Sequence, residues 1–146
     1  MKTLKIAALG DVNIDIFLNI PYYPSAGGDG LADEIEYHTG GSVTNTVIVL
    51  ARLGMQTEMV SRLGRDPWAD IAMKTMTDEG VGMNYITYDD RAGTGLIFLP
   101  VTPDGERTMF SYRGANLMMR PDVLDEALFA EIDYLHISGY TFLKSP

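Results

Sequence analysis

Residues Leu4–Gly10, LKIAALG, hold four apolar side chains in succession before a glycine. Successive side chains of a strand point to opposite faces, so such a run is stable only when both faces are covered. A central strand of a parallel sheet, with helices on both sides, meets that requirement. Any fold for this chain must bury this segment.

The following segments supply the covering elements. NIDIFLNI (13–20) alternates, with Ile14, Ile16, Leu18 and Ile20 on one side, and PYYPSAGGDG then breaks the chain. ADEIEYHTG (32–40) resumes extended structure. SVTNTVIVLAR carries Val43, Val47, Leu50 and Ala51 at helical spacing, with Ser42 expected as N-cap and Gly54 at the C-terminal end. TEMVSRLG (57–64) is a strand. Asp66 and Pro67 open a second helix bearing Trp68, Ile71, Ala72, Thr75 and Met76 on one stripe, which reads as core packing. NYITYDD is a strand, with Asp89 and Asp90 as a charged turn. Residues 96–101 and 107–112 read as a hairpin about a turn at TPDGER. RPDVLDEALFAEI (120–132) is an amphipathic helix, and DYLHISGY (133–140) a further buried strand. The order β-β-β-α-β-α-β-β-β-α-β predicts an α/β protein with a parallel sheet and right-handed crossovers. The early strand pair and the hairpin are amphipathic, so they are expected to form a separate small sheet.

Composition narrows function by exclusion. The chain has 146 residues, 46% of them hydrophobic, as a soluble domain requires. A formal net charge of -9 disfavours nucleic acid and anionic membranes as partners. The absence of cysteine removes disulfides and thiolate metal sites and points to the cytoplasm. No apolar run approaches the roughly 20 residues of a membrane span. G-x-G-x-x-G, G-x-x-x-x-G-K-[ST] and H-E-x-x-H are all missing.

What remains is HTGGSVTN, residues 38–45, two glycines ahead of a helix. Ligands of open parallel sheets bind beyond the carboxyl ends of the strands. Asp11, Asn13 and Asp15 follow the first strand, and Gly40, Gly41 and Asn45 enter the first helix. If these two segments meet, the carboxylate of Asp15, the amide of Asn45 and bare backbone face one cleft. That set suits a polyhydroxylated ligand, because each hydroxyl is both donor and acceptor. The competing reading is a tight strand-to-helix turn with no ligand.

The blocks GDVNIDI, TGGSVTNTVIVLARLG, SRLGRDPWAD, GTGLIFL, YRGAN and DYLHISGY, in that order, resemble the N-terminal half of the ribokinase-like (PfkB) carbohydrate kinases. The G-G-x-x-x-N block is the family's first signature. The resemblance implies a three-layer α/β/α fold, incomplete over 1–146, with a small β-sheet lid of strands at about 13–20, 32–39, 96–101 and 107–112. It further implies ATP-dependent phosphorylation of a sugar, sugar acid or nucleoside with Mg²⁺, and a homodimer formed through the lid. By resemblance Asp15, Asn13, Gly41 and Asn45 contact the sugar. The family's second signature, a Gly-Ala-Gly-Asp type turn carrying the catalytic base, does not occur before Pro146. The chain is therefore expected to supply substrate binding and no catalytic residue or metal ligand, and to be inactive alone. The alternative is a non-catalytic sugar-binding or dimerisation module.

Three departures bear on the substrate. The family's G-x-D-x-x-G is here Gly64, Asp66 and Ala69, Ser42 replaces the lysine of ribokinases proper, and HISGY stands where they carry Glu. Arg113 has two readings: a receptor for a substrate carboxylate, or an exposed residue at a hairpin end. His38 is expected on the polar face of a lid strand, and His136 in the core or at the cleft edge. Thr94 either lines the cleft or marks a bend.

Overall fold

A computed structural model describes residues 4–121, 124 and 126–143. The eleven strands and helices follow the expected order: β1 (Lys5–Leu9), β2 (Asn13–Asn19), β3 (Glu34–Gly40), α1 (Ser42–Arg52), β4 (Gln56–Gly64), α2 (Pro67–Asp78), β5 (Gly82–Asp89), β6 (Gly95–Val101), β7 (Phe110–Tyr112), α3 (Glu126–Glu131) and β8 (Tyr134–Ile137). Two 3-10 turns, Gly114–Met118 and Gly139–Phe142, join the later elements. The start expected for the third helix includes residues 122, 123 and 125, which lie outside the described residues.

The main sheet has the order β5-β4-β1-β8, and all its pairings are parallel. β1 is covered on both faces, as its apolar run demands. Ala8 packs with Met59, Leu63, Val43 and Val47 under α1 and α2, while Ala7 and Leu9 pack with Val60 and Leu128 of α3. These are the three layers. Gly10 lets α1 close on the sheet, since a Cβ there would stand 2.5 Å from a Val43 methyl. β8 is an outer strand whose Tyr134 and Ile137 are exposed. His136 is exposed with them rather than buried or at the cleft edge, because β1 pairs with only one side of β8.

The second sheet has the order β3-β2-β6-β7 and mixed pairing: β2 runs antiparallel to β3 and parallel to β6. Its boundaries differ slightly from the expected ones. The last strand pairs only over Phe110–Tyr112, plus a single bridge between Val101 and Arg107. Pro100 has no N–H for the ladder. The Tyr23 hydroxyl enters the gap, donating to the Pro100 carbonyl at 2.9 Å and accepting from Thr108 N–H at 3.0 Å. Ile14 and Ile16 are buried in the same core as α1 and α2, and Tyr37 meets Trp68 edge to face at 6.0 Å.

The helix ends carry the local chemistry. Asp66 caps α2 by accepting from Ala69 N–H at 3.0 Å, with Pro67 in the first turn. It also accepts from the Thr94 N–H at 2.7 Å and hydroxyl at 2.8 Å, which ties the start of β6 to α2. Thr94 is thus a buried structural residue. Burial raises the Asp66 carboxyl, but these hydrogen bonds outweigh it and hold the group below its ordinary 3.8. α1 ends as expected, with Gly54 at φ 84° and its N–H bonded to the Ala51 carbonyl. Its start does not. The N-cap is Gly41, at φ 109°, with no side-chain cap, and Ser42 is already helical. The chain needs positive φ at this corner, and a Cβ at Gly41 would stand 2.3 Å from the Asp11 carbonyl oxygen. Ser42 instead pairs with Ser138, hydroxyl to hydroxyl at 3.2 Å.

Candidate functional site

The two sheets meet along the line where β1 passes into β2 and β3 passes into α1. A cleft of about 640 Å³ opens there. Asp11, Asn13, Asp15, Gly41 and Asn45 all line it, so the two segments that the sequence places far apart do converge. Arg113 lines it as well. β2 alternates by period two: Ile14 and Ile16 enter the core, while Asn13 and Asp15 face the opposite way. The β2–β6 register sets Ile97 beside Asp15, and the β6–β7 register sets Ser111 beside Ile97, and both residues line the cleft. The cleft wall is therefore part apolar and part polar.

Asp15 is half-buried, and among the described residues its carboxylate accepts no hydrogen bond. It lies against Gly40, where a Cβ would stand 2.1 Å from Oδ2. Burial pushes its carboxyl above the ordinary 3.8 and outweighs the opposing pull of exposed His38. A carboxylate desolvated without a donor is costly unless something else supplies one. Asn45, one turn into α1, is exposed, and its side-chain amide has no partner among the described residues. His38 sits on the exposed face of β3 beside Glu36, as expected.

Asn13 is buried and oriented by Asn116, a residue not singled out from the sequence. Asn116 accepts from Val12 N–H at 3.1 Å and donates to Val12 C=O at 3.1 Å, which fixes which end of its amide is which. Its Nδ2 also donates to Asn13 Oδ1 at 2.9 Å. Asn13 lines the cleft, and with Oδ1 engaged its NH₂ is the end of the amide left to donate. Gly95 makes this contact possible, since a Cβ there would stand 2.3 Å from Asn13 Oδ1 and 2.4 Å from Asn116 Nδ2. The sequence signal was the YRGAN block, whose last residue is Asn116.

Arg113 departs from the reading of an exposed hairpin-end residue, for it is 8% exposed. Its Nε donates to Asp11 Oδ2 at 2.9 Å and its Nη2 to Asp11 Oδ1 at 3.0 Å, a bidentate ion pair. Nη2 further donates to the Tyr140 carbonyl at 2.9 Å, and Nη1 donates to that of Leu143. Hairpin position predicts exposure only when no buried carboxylate waits beneath.

A second hollow of about 450 Å³ lies behind β3, lined by Tyr37, Thr39 and Thr75 and also reached by Asn45. Its charged rim is satisfied internally, since Arg52 binds Glu79 with two hydrogen bonds. Asp15, a carboxylate with no donor among the described residues, is in the first cleft. Among the described residues no group of three or more His, Asp or Glu gathers as a metal site. Asp11 is taken by Arg113. No helix of the described residues is long and apolar enough to cross a membrane.

The chain is similar to known proteins over most of its length. The chain is 31% identical to a ribokinase of Staphylococcus aureus over 82% of its own length and 40% of the relative's. It is 28% identical to a probable fructokinase-4 of Arabidopsis thaliana over 97% of its length and 43% of the relative's. It shares its fold with the Arabidopsis thaliana ribokinase solved with ribose and ATP, with a TM-score of 0.78, 24% identity, and coverage of 88% of this chain and 42% of that one. The chain thus spans about two fifths of the length of the curated relatives it matches. The pfkB family carbohydrate kinase pattern matches residues 3–146, and the chain belongs to that family.

Proposed function

We propose that this chain forms the sugar-binding part and lid of an ATP-dependent kinase that phosphorylates a sugar hydroxyl. The observation that carries the reading is the pairing in one cleft of a half-buried carboxylate and an amide, Asp15 and Asn45, neither with a partner among the described residues. Asp15 accepts from sugar hydroxyls. Asn45 and the NH₂ of Asn13 donate to sugar oxygens, and Gly41 lets the ring approach bare backbone. The second sheet, β3-β2-β6-β7, acts as lid and limits water at the site. In this reading 1–146 is the N-terminal part of one ribokinase-like domain in a cytoplasmic enzyme. It supplies binding and orientation, whose effect on rate is large when two reactants must meet. ATP with Mg²⁺ would supply the phosphoryl group. No transfer step is assigned to the described residues.

Calorimetric titration of the chain with D-ribose, D-fructose and D-glucose tests the binding claim. Saturable binding of at least one sugar, lost in Asp15→Ala, is expected. The chain alone should not consume ATP, whereas the whole protein should do so in a sugar-dependent way. Failure of the whole protein on a broad panel of sugars, sugar acids and nucleosides would remove the kinase reading.

A homodimer through the lid is the second element of the proposal. The face of the second sheet turned from the cleft leaves Ile35 at 63% and Phe110 at 59% exposed. Exposed apolar side chains on a sheet face favour association. Sedimentation equilibrium checks it, and a strictly monomeric chain at high concentration would rule it out.

A further inference from the structure

The cleft contains the guanidinium of Arg113, yet that group is already engaged. Of its five N–H donors, four bonds are accounted for: two to the Asp11 carboxylate and one each to the carbonyls of Tyr140 and Leu143. Both members of the ion pair are largely buried, with side-chain exposures of 8% for Arg113 and 13% for Asp11. The Asp11 backbone is pinned too, its carbonyl accepting from the Thr44 hydroxyl at 3.1 Å beside Gly41. With Asp11 and Arg113 neutralising each other, the charges left facing the cleft are the half-buried carboxylate of Asp15 and an exposed guanidinium at its rim. Arg107, the other guanidinium lining the cleft, is exposed on the hairpin.

We infer that Asp11 is a specificity determinant: by occupying Arg113 it closes the inner cleft to carboxylate-bearing sugars and reserves it for uncharged polyols. The inference rests on the sugar-site reading above and narrows its substrate class. A sugar acid seated against Arg113 must displace Asp11, leaving a buried carboxylate unpaired, and must lie near Asp15, a like charge. An uncharged hydroxyl meets neither obstacle. It donates to Asp15 and accepts from Asn13 or Asn45. Asp11 acts as an internal stand-in for the ligand carboxylate that Arg113 would otherwise receive.

The test uses matched pairs differing only in that charge: D-ribose against D-ribonate and D-glucose against D-gluconate, titrated calorimetrically into the chain. The neutral member should bind about tenfold or more tighter than its acid. Asp11→Asn should narrow that ratio by about tenfold or more, chiefly by strengthening the acid, and Asp11→Asn with Arg113→Met should abolish the gain. A purely structural pair would instead weaken both ligands together. Asp11→Ser repeats the measurement should the Asn variant not fold, and the wild-type ratio stands independently of either. Equal or tighter binding of the acid by the wild-type chain overturns the inference while leaving the sugar site intact. Binding of neither member of any pair sinks the sugar-site reading itself, and this inference with it.

Discussion

The two four-stranded sheets solve opposite problems. The main sheet is parallel, clad on both faces around β1, and its inner residues Met59, Val60 and Leu63 are fully buried. The second sheet is mixed and clad on part of one face. Its other face borders a cleft whose Asp15 carboxylate has no hydrogen-bond donor among the described residues. Burial of apolar surface is the dominant favourable term in folding, so stability should reside in the first sheet. The second keeps features that a stability optimum would remove, namely a desolvated Asp15 and exposed Ile35 and Phe110. Such concessions are expected where a surface must meet a ligand or partner.

The contrast can be broken by three substitutions. Leu63→Ala in the main sheet should cost about 2–5 kcal/mol in chemical denaturation, through lost burial and the cavity left behind. A cost under about 1 kcal/mol would mean that β4 is not the centre of the core. Asp15→Asn should separate binding from stability. Losing a charged acceptor is worth about 1.5–3 kcal/mol, so sugar affinity should fall about 10- to 100-fold. Folding, by contrast, should become more favourable at neutral pH. The folded state raises the Asp15 carboxyl above 3.8, so the ionised form is penalised only in the folded chain. That penalty is present at neutral pH and disappears as pH falls below 3.8, where the group is protonated in both states. The stabilising effect of Asn should therefore fade on acidification. Thermal unfolding of both proteins from pH 3 to pH 7.5 checks this, and an unchanged or lower melting temperature at pH 7 would show that Asp15 has a donor in solution. Smallest of all, Ile35→Ala in the second sheet should shift monomer stability by less than about 0.5 kcal/mol while weakening self-association.

Much of the architecture was legible because it rests on period and punctuation. The double-faced run of β1, the alternation of β2, and Asp66-Pro67 before α2 each state a local requirement that the fold then meets. The convergence of Asp15, Gly41 and Asn45 was legible for a topological reason, since strand ends and helix starts share one edge. What stayed hidden depends on distant partners. Arg113 reads as exposed until Asp11, on another element, is placed beneath it. Asn116 shows no role until its side-chain amide is found bonded to both the N–H and the C=O of Val12. Ser42 reads as a cap because its type suits one. The capping position instead falls on Gly41, where φ is positive and the Asp11 carbonyl leaves no room for a Cβ.

The parallel pairing of residues 13–19 with 95–101 has a consequence for how the molecule assembles. No hairpin can bring these strands together, and α1, β4, α2 and β5 lie between them along the chain. Their alignment requires closing a long loop, whose entropic penalty is recovered only when both strands dock. Nucleation should accordingly begin in the β4-α2-β5 neighbourhood, and the ligand cleft should be the last part of the molecule to take shape.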